Sequence, residues 1–393
     1  MENTKTIRIA ALDVFRAVTM FLMLFVNDIP GLKNIPHGLL HAAANEDMLG
    51  FSDIIFPGFL FAMGMAIPYA IDARYKKGDT TVQIIMHILK RTVILLIMGL
   101  FTVNIGDLNP EKTGLSYNVY VLLMALGFFL AWSVYPKSHD WKDKLFKFMQ
   151  IVGILLLVYL WLTFKTKDGA GFTPQWWGIL GLIGWTYLAS AAIYLFTRDN
   201  LMYNAIAVAV IIMISLISAA GLFKGIALAE IFPSEATLYA FGMAGVWTGV
   251  FLKKYAGGER IRTFFIVMPA LGIVSLIGAL ITHQFWIISK IQATPTWFFY
   301  CCAIFFPFFT LIYWLTDIQK KSHWFNLIKP AGTVTLTCYI IPYAWYSVQW
   351  MLGLKYPALL TSGLPGIIKS LVFSLIIIGI AWILMKLKVR LKI

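Results

Sequence analysis

Charge is what this chain lacks most. Only 13% of its 393 residues are Asp, Glu, Lys or Arg, and only 18 are acidic, whereas soluble proteins carry roughly 25% charged residues. A soluble globular fold of this length is excluded. No polar stretch is long enough for a separate water-soluble domain, and there is neither a Pro/Gly/Ser-rich linker nor an internal repeat. Cysteine is nearly absent: Cys301 and Cys302 are neighbours in one apolar run and Cys338 lies in another, which gives neither a disulfide framework nor the spacing of a metal site. They read as small packing residues.

What is present is hydrophobic, with 60% apolar residues and a mean hydropathy of +0.79. A spanning helix needs about 20 apolar residues. Charge-poor runs of that length predict helices near 9–28, 52–71, 85–105, 116–135, 147–164, 175–196, 201–222, 236–252, 263–283, 296–316, 331–351 and 367–386. The expected fold is all-α, a polytopic integral membrane protein of about twelve transmembrane helices, or eleven, in a single domain over residues 1–393. The first apolar stretch follows Lys5 and Arg8 as in a signal peptide, but it contains Asp13 and Arg16. Its candidate cleavage site, Ala42 to Ala44, lies well past its end, so it is expected to remain as the first helix.

The net charge of +14 is spread between apolar runs rather than clustered, which speaks against nucleic acid as a partner. Assigned to alternate sides of a twelve-helix arrangement, 23 of the 32 Lys and Arg fall on one side and 8 on the other, with Arg16 inside the first helix. That bias predicts cytoplasmic termini. Trp176, Trp177, Trp286, Trp297, Trp345 and Trp350 fall near predicted span ends, where interfacial aromatics are expected.

The densest polar chemistry lies between Arg8 and Ile71. Asp13 and Arg16 are three apart, so they share a helix face and can pair, either as a tether for the first helix or as a functional pair at membrane depth. Asn27 lies ~16 Å further along that helix, near its outer end. The loop that follows holds His37, His41, Glu46 and Asp47, and the second helix re-enters carrying Asp53 in its first turn. Topology alone brings Asn27, His41 and Asp53 to one depth. A neutral imidazole beside a carboxylate is a general base suited to neutral pH, and an amide can hold a carbonyl or developing oxyanion. The same residues also admit plainer readings: a solvated loop histidine, a helix cap at Asp53, or a metal site if His37 and His41 share a helical face. No further ligand pattern supports the metal, and none is expected.

Leu12-Asp13-Val14-Phe15-Arg16, Phe25-Val26-Asn27, His41-Ala42 and Ser52-Asp53-Ile54-Ile55-Phe56-Pro57 with Phe59-Leu60-Phe61-Ala62-Met63-Gly64 resemble, in order and chemistry, the signature of the heparan-alpha-glucosaminide N-acetyltransferase family and its bacterial relatives. Weaker likeness continues at Pro233-Ser234-Glu235, Trp297 and Tyr313-Trp314-Leu315-Thr316-Asp317. The departures are Ala17 where the family has Gly, a longer loop between His41 and Asp53, no tryptophan shortly after the histidine, and Gly332-Thr333-Val334 where a G-x-N pattern would place Asn.

The resemblance implies an enzyme that moves an acetyl group from cytoplasmic acetyl-CoA to a sugar amine or hydroxyl on the extracytoplasmic side of a bacterial inner membrane. His41 and Asn27 match the family's catalytic pair, with Asp53 beside them. Arg16, with Asp13, falls toward the CoA side. Arg74, Lys76, Lys77, Lys90 and Arg91 could meet the CoA phosphates, and equally serve as topology signals. The implied partners are acetyl-CoA, a saccharide acceptor and the lipid bilayer; a homodimer is left open. The competing class is a secondary transporter or exporter of sugars or sugar conjugates, since twelve spans with both termini inside is a common carrier layout.

Overall fold

The computed structural model describes residues 9–135, 141–222 and 236–391. Lys5, Arg8, Lys137, Lys224, Lys392 and the Pro233-Ser234-Glu235 likeness lie outside them. The regular structure of the described residues is helical, with only isolated bridges between extended residues. Its long helices are α1 (Ala10–Asp28), α2 (Phe51–Lys76), α3 (Thr81–Asn104), α4 (Tyr117–Trp132), α5 (Trp141–Thr163), α6 (Ile179–Thr197), α7 (Leu201–Ala219), α8 (Ala236–Tyr255), α9 (Ile261–Thr282), α10 (Pro295–Tyr313), α11 (Thr335–Met351) and α12 (Gly363–Lys386). Each overlaps one of the apolar runs. Nine helices among the described residues are long and apolar enough to cross a membrane, which makes this a polytopic membrane protein.

The three that fall short are α4, α8 and α11. Helix α4 is 16 residues long and α11 is 17. For α8 the cause is its position: most of its residues are buried against other helices, so it has little need of a lipid-compatible surface. Helices α2 and α8 form the most extensive pairing in the bundle. Their contact needs glycine, because a Cβ on Gly64 would sit 2.0 Å from the Gly242 carbonyl oxygen and one on Gly245 would sit 2.1 Å from that of Phe61. Backbones approach this closely only where side chains are absent. Gly64→Ala is accordingly expected to destabilise the protein by about 1–3 kcal/mol, read as a lower apparent Tm in detergent; an unchanged Tm would mean the two helices separate without cost.

The connections gather at two ends of the bundle. At the terminal end, Asp317, in a π-helical turn after α10, accepts from the backbone N–H groups of Ala10 and Ala11 at 3.0 and 2.7 Å, capping α1 from 306 residues away. Asp72, Asp199 and Lys253 tie the same ends of α2, α6 and α8. At the other end lie the loop from Ile29 to Gly50 and the connection between α9 and α10, and there Lys33 bridges to Ser362. Ala17 is fully buried against Gly332, so the glycine at this close crossing comes from the opposite side. Cys301, Cys302 and Cys338 are buried free thiols.

Candidate active site

Asp53 organises the loop end. It occupies the first turn of α2, where the helix dipole favours a carboxylate, and only 2% of its side chain is exposed. One oxygen, Oδ2, accepts from the backbone N–H groups of Gly50 and Ala42 at 3.3 and 3.0 Å. The other, Oδ1, lies 2.6 Å from His41 Nδ1. The capping reading and the imidazole-partner reading are therefore both realised, by different oxygens of one carboxylate. Gly50 makes this closure feasible: a Cβ there would lie 2.1 Å from the Leu40 carbonyl oxygen. Ser52 Oγ donates to the Leu39 carbonyl at 2.6 Å, pinning the loop just before His41.

With Nδ1 turned to Asp53, His41 keeps Nε2 for chemistry, and 38% of its side chain remains exposed. That is the arrangement of a base whose tautomer is fixed by a buried acid. Asn27 stands exposed at the end of α1, and among the described residues its amide is not hydrogen-bonded to His41 or Asp53. Its neighbour Asp28, which the sequence placed only at the start of the loop, is deeply engaged. Its Oδ1 accepts from Tyr346 at 2.5 Å, and its Oδ2 from Lys369 at 2.5 Å and Ser370 at 2.6 Å.

The histidine loop is also clamped from the second half of the chain. Asp47 accepts from the Ile288 N–H at 2.9 Å and pairs with His283 at 2.8 Å. Ser289 Oγ and Gln292 Nε2 donate to the Ala44 carbonyl at 3.1 and 2.8 Å. Trp297, expected as an interfacial anchor, is instead fully buried, with its indole N–H donating to the Asp53 carbonyl at 3.1 Å. Lys290, from this same connection, brings Nζ to 3.3 Å from His41 Nδ1. His37 is taken by Glu46 at 2.6 Å. A backbone hydrogen bond from Ala43 and the His37 contact hold the Glu46 carboxyl below its ordinary range, and the Ile288 N–H does the same for Asp47. Each of these histidines thus has its own carboxylate, and among the described residues no group of three or more His, Cys, Asp or Glu converges as a metal site.

A cavity of about 320 Å³ occupies the bundle on the terminal side of this loop end. Ala70, Ile71 and Leu391 line its terminal part, Met20, Met23, Phe59 and Met63 its inner part, and Arg16, Arg91 and Tyr187 its polar wall. Met23 is one helical turn (~6 Å) from Asn27, and Phe59 lies ~9 Å along α2 from Asp53. Arg16 pairs with Asp13 at 2.9 Å. The Arg91 guanidinium lies 4.5 Å from the Tyr187 ring centroid, and its Nε is buried with no hydrogen-bond partner among the described residues. Val334 also lines this cavity. Of the other basic residues singled out from sequence, Arg74 is held by Asp79 at 2.8 Å, while Lys76, Lys77 and Lys90 are exposed; none of the four lines the cavity.

Sequence reasoning missed Lys290, the Asp28 cluster and Tyr187. Lys369 did carry a signal, as a lone charge at the head of an apolar run. Lys290 carried none beyond its place among the loop-side cations.

Residues 8–243 match the family model described as "Domain of unknown function (DUF5009)", which covers more than half of the chain. The chain is 26% identical over 175 residues to heparan-alpha-glucosaminide N-acetyltransferase of Mus musculus, covering 39% of this chain and 25% of that protein. It is 29% identical over 109 residues to the Homo sapiens protein of the same name, covering 27% and 16%. The matches span a quarter or less of these curated relatives.

Proposed function

This chain belongs to the family described as a domain of unknown function (DUF5009), and from that premise we propose that it is a transmembrane acetyltransferase. In this reading acetyl-CoA is the donor and a sugar amine or hydroxyl the acceptor. The observation that carries the reading is the relation of two features: the His41–Asp53 pair at the loop end, and a cavity holding Arg16 and Arg91 that reaches toward it from the terminal end. The distant likeness to the mammalian acetyltransferases points the same way.

The terminal end faces the cytoplasm, on the charge bias of the sequence. A slender acyl-pantetheine arm enters the cavity along Met20, Met23 and Met63, with CoA phosphate oxygens met by Arg16 and Arg91. At the loop end, His41 Nε2 takes the proton of the acceptor amine or hydroxyl as its lone pair attacks the thioester carbonyl. Asp53 stabilises the imidazolium, and the Asn27 amide serves the developing oxyanion. The C–S bond breaks as the new C–N or C–O bond forms, and the CoA thiolate recovers the proton. Radiolabelled acetyl-CoA without acceptor tests the competing covalent route, because an acetyl-histidine would retain label under single-turnover conditions.

Binding is tested apart from chemistry by thermal shift. Acetyl-CoA at concentrations above its affinity should raise the Tm of the wild type. Arg91→Ala should weaken that effect, with apparent affinity falling about tenfold or more. Lys77→Ala, outside the cavity, should leave it in place. A sugar carrier would show no stabilisation by acetyl-CoA or CoA at all, and that result would count against the proposal. Acceptor identity is accessible by labelled transfer to saccharides bearing free amines or hydroxyls.

A further inference from the structure

His41 has two charged neighbours from distant parts of the chain. Asp53 Oδ1 lies 2.6 Å from Nδ1, and Lys290 Nζ lies 3.3 Å from the same nitrogen. A ring nitrogen offers one hydrogen-bonding direction. When Nδ1 carries the proton donated to Asp53, the Lys290 ammonium cannot donate to it as well and acts on the imidazole by its charge. The position of Lys290 is built rather than incidental. Ser289 and Gln292, on either side of it, donate to the Ala44 carbonyl, the Ile288 N–H is held by Asp47, and Lys290 itself is half-buried. Burial pushes its ammonium below the usual lysine range, with Asp53 opposing.

We infer that Lys290 is a positioning residue of the acetyl-transfer site, one whose charge offsets the pull of Asp53 on the His41 proton balance so that the imidazole rests neutral, with Nε2 unprotonated. This rests on the reading of His41 as the base. A buried carboxylate beside a histidine by itself favours the imidazolium, which cannot accept a proton. A cation 3.3 Å from the same nitrogen works in the opposite sense. Among the described residues the neighbouring ionisable groups have partners of their own, Glu46 with His37, Asp47 with His283 and Asp28 with Lys369, and Lys33 is exposed, so Asp53 and Lys290 are the two charged groups in direct contact with His41. Lys290 lies beyond residue 243, outside the segment matched by the family model. The second half of the chain would then supply a charged group in direct contact with a histidine–carboxylate pair that lies wholly in the first.

The test requires no acceptor. Diethyl pyrocarbonate reacts with imidazole only in its neutral form, and the pH dependence of His41 modification, followed by peptide mass spectrometry on the purified full chain, reads its protonation directly. Removing one unit charge at this distance should move the midpoint upward by about one pH unit in Lys290→Met and in Lys290→Gln. Lys290→Arg should restore the wild-type midpoint. The acid limb of kcat/KM for acetyl transfer should move by the same amount, with the alkaline plateau little changed. The His37 and His283 peptides in the same digest serve as internal references. If the His41 midpoint stays in place in whichever neutral variant retains the wild-type Tm, or if all three histidines shift together, the inference is overturned. His41→Ala retaining acetyl transfer would sink the catalytic reading instead, a result distinct from the midpoint measurement.

Discussion

Replacing His41 with alanine is expected to lower kcat for acetyl transfer by about 10³-fold, within the range that a positioned general base contributes, while leaving the apparent Tm within about 1–2 °C of wild type. The two halves of this expectation have separate causes. Among the described residues of the loop end, His41 supplies the one nitrogen whose partner nitrogen is already fixed by a buried carboxylate. Its side chain is 38% exposed, so truncation removes little packing and opens Asp53 Oδ1 to water, which replaces the lost imidazole as its partner. Asp53→Asn should be as damaging to rate and worse for folding. The amide can still reach Nδ1, but it can present NH₂ there and stabilise the wrong tautomer, as well as weakening the bonds from Gly50 and Ala42 that close the loop. Labelled acetyl transfer at saturating donor, alongside the melting curve of each variant, gives both readings. Retention by His41→Ala of more than about a tenth of wild-type kcat would dismiss it as the base.

The second large effect is structural. Lys369→Met should destabilise the protein by about 3–5 kcal/mol, because it leaves the Asp28 carboxylate buried without its cation. Asp28 and Lys369 side chains are 6% and 12% exposed, and the carboxylate sits at the C-terminal end of α1, where the helix dipole disfavours it. Among the described residues Lys369, Ser370 and Tyr346 make that position tolerable, and together they anchor α1 to α11 and α12. The double variant Asp28→Asn/Lys369→Met should recover much of the loss, since removing both charges also removes the uncompensated one. Additive losses in this cycle would show that the pair is not coupled. Asn27 is the next residue along α1, so the single variant should also lower kcat by loosening the end of the helix that presents the amide.

The long helices were legible because lipid and buried bundle surfaces both demand apolar runs, and each predicted run overlaps one long helix. Hydropathy reads less well where a helix is walled in by protein. Thus α8, rich in Gly and Thr, lies in the interior and falls short of the apolar spans. The loop-end pair His41 and Asp53 was also legible, because only a loop and the first turn of the next helix separate them. Trp297 was misjudged since a tryptophan at a helix start has the same sequence pattern whether it faces lipid headgroups or the back of Asp53.

What the sequence determines by itself is local or periodic: a membrane-embedded helical chain, a charge bias between its two sides, and a histidine set against a carboxylate twelve residues on. The tertiary structure decides which distant charges meet. Arg16 and Arg91 share a cavity that Arg74, Lys76, Lys77 and Lys90 do not line, Asp28 finds Lys369 across 341 residues, and Lys290 reaches His41 across 249. Helix packing sets these meetings. Steric fits such as Gly64 against Gly242 fix how α2 and α8 cross, and the rotation and depth of each helix then place its few polar side chains. Hydrophobic periodicity records that a helix is buried, but not which neighbour it faces or at what height.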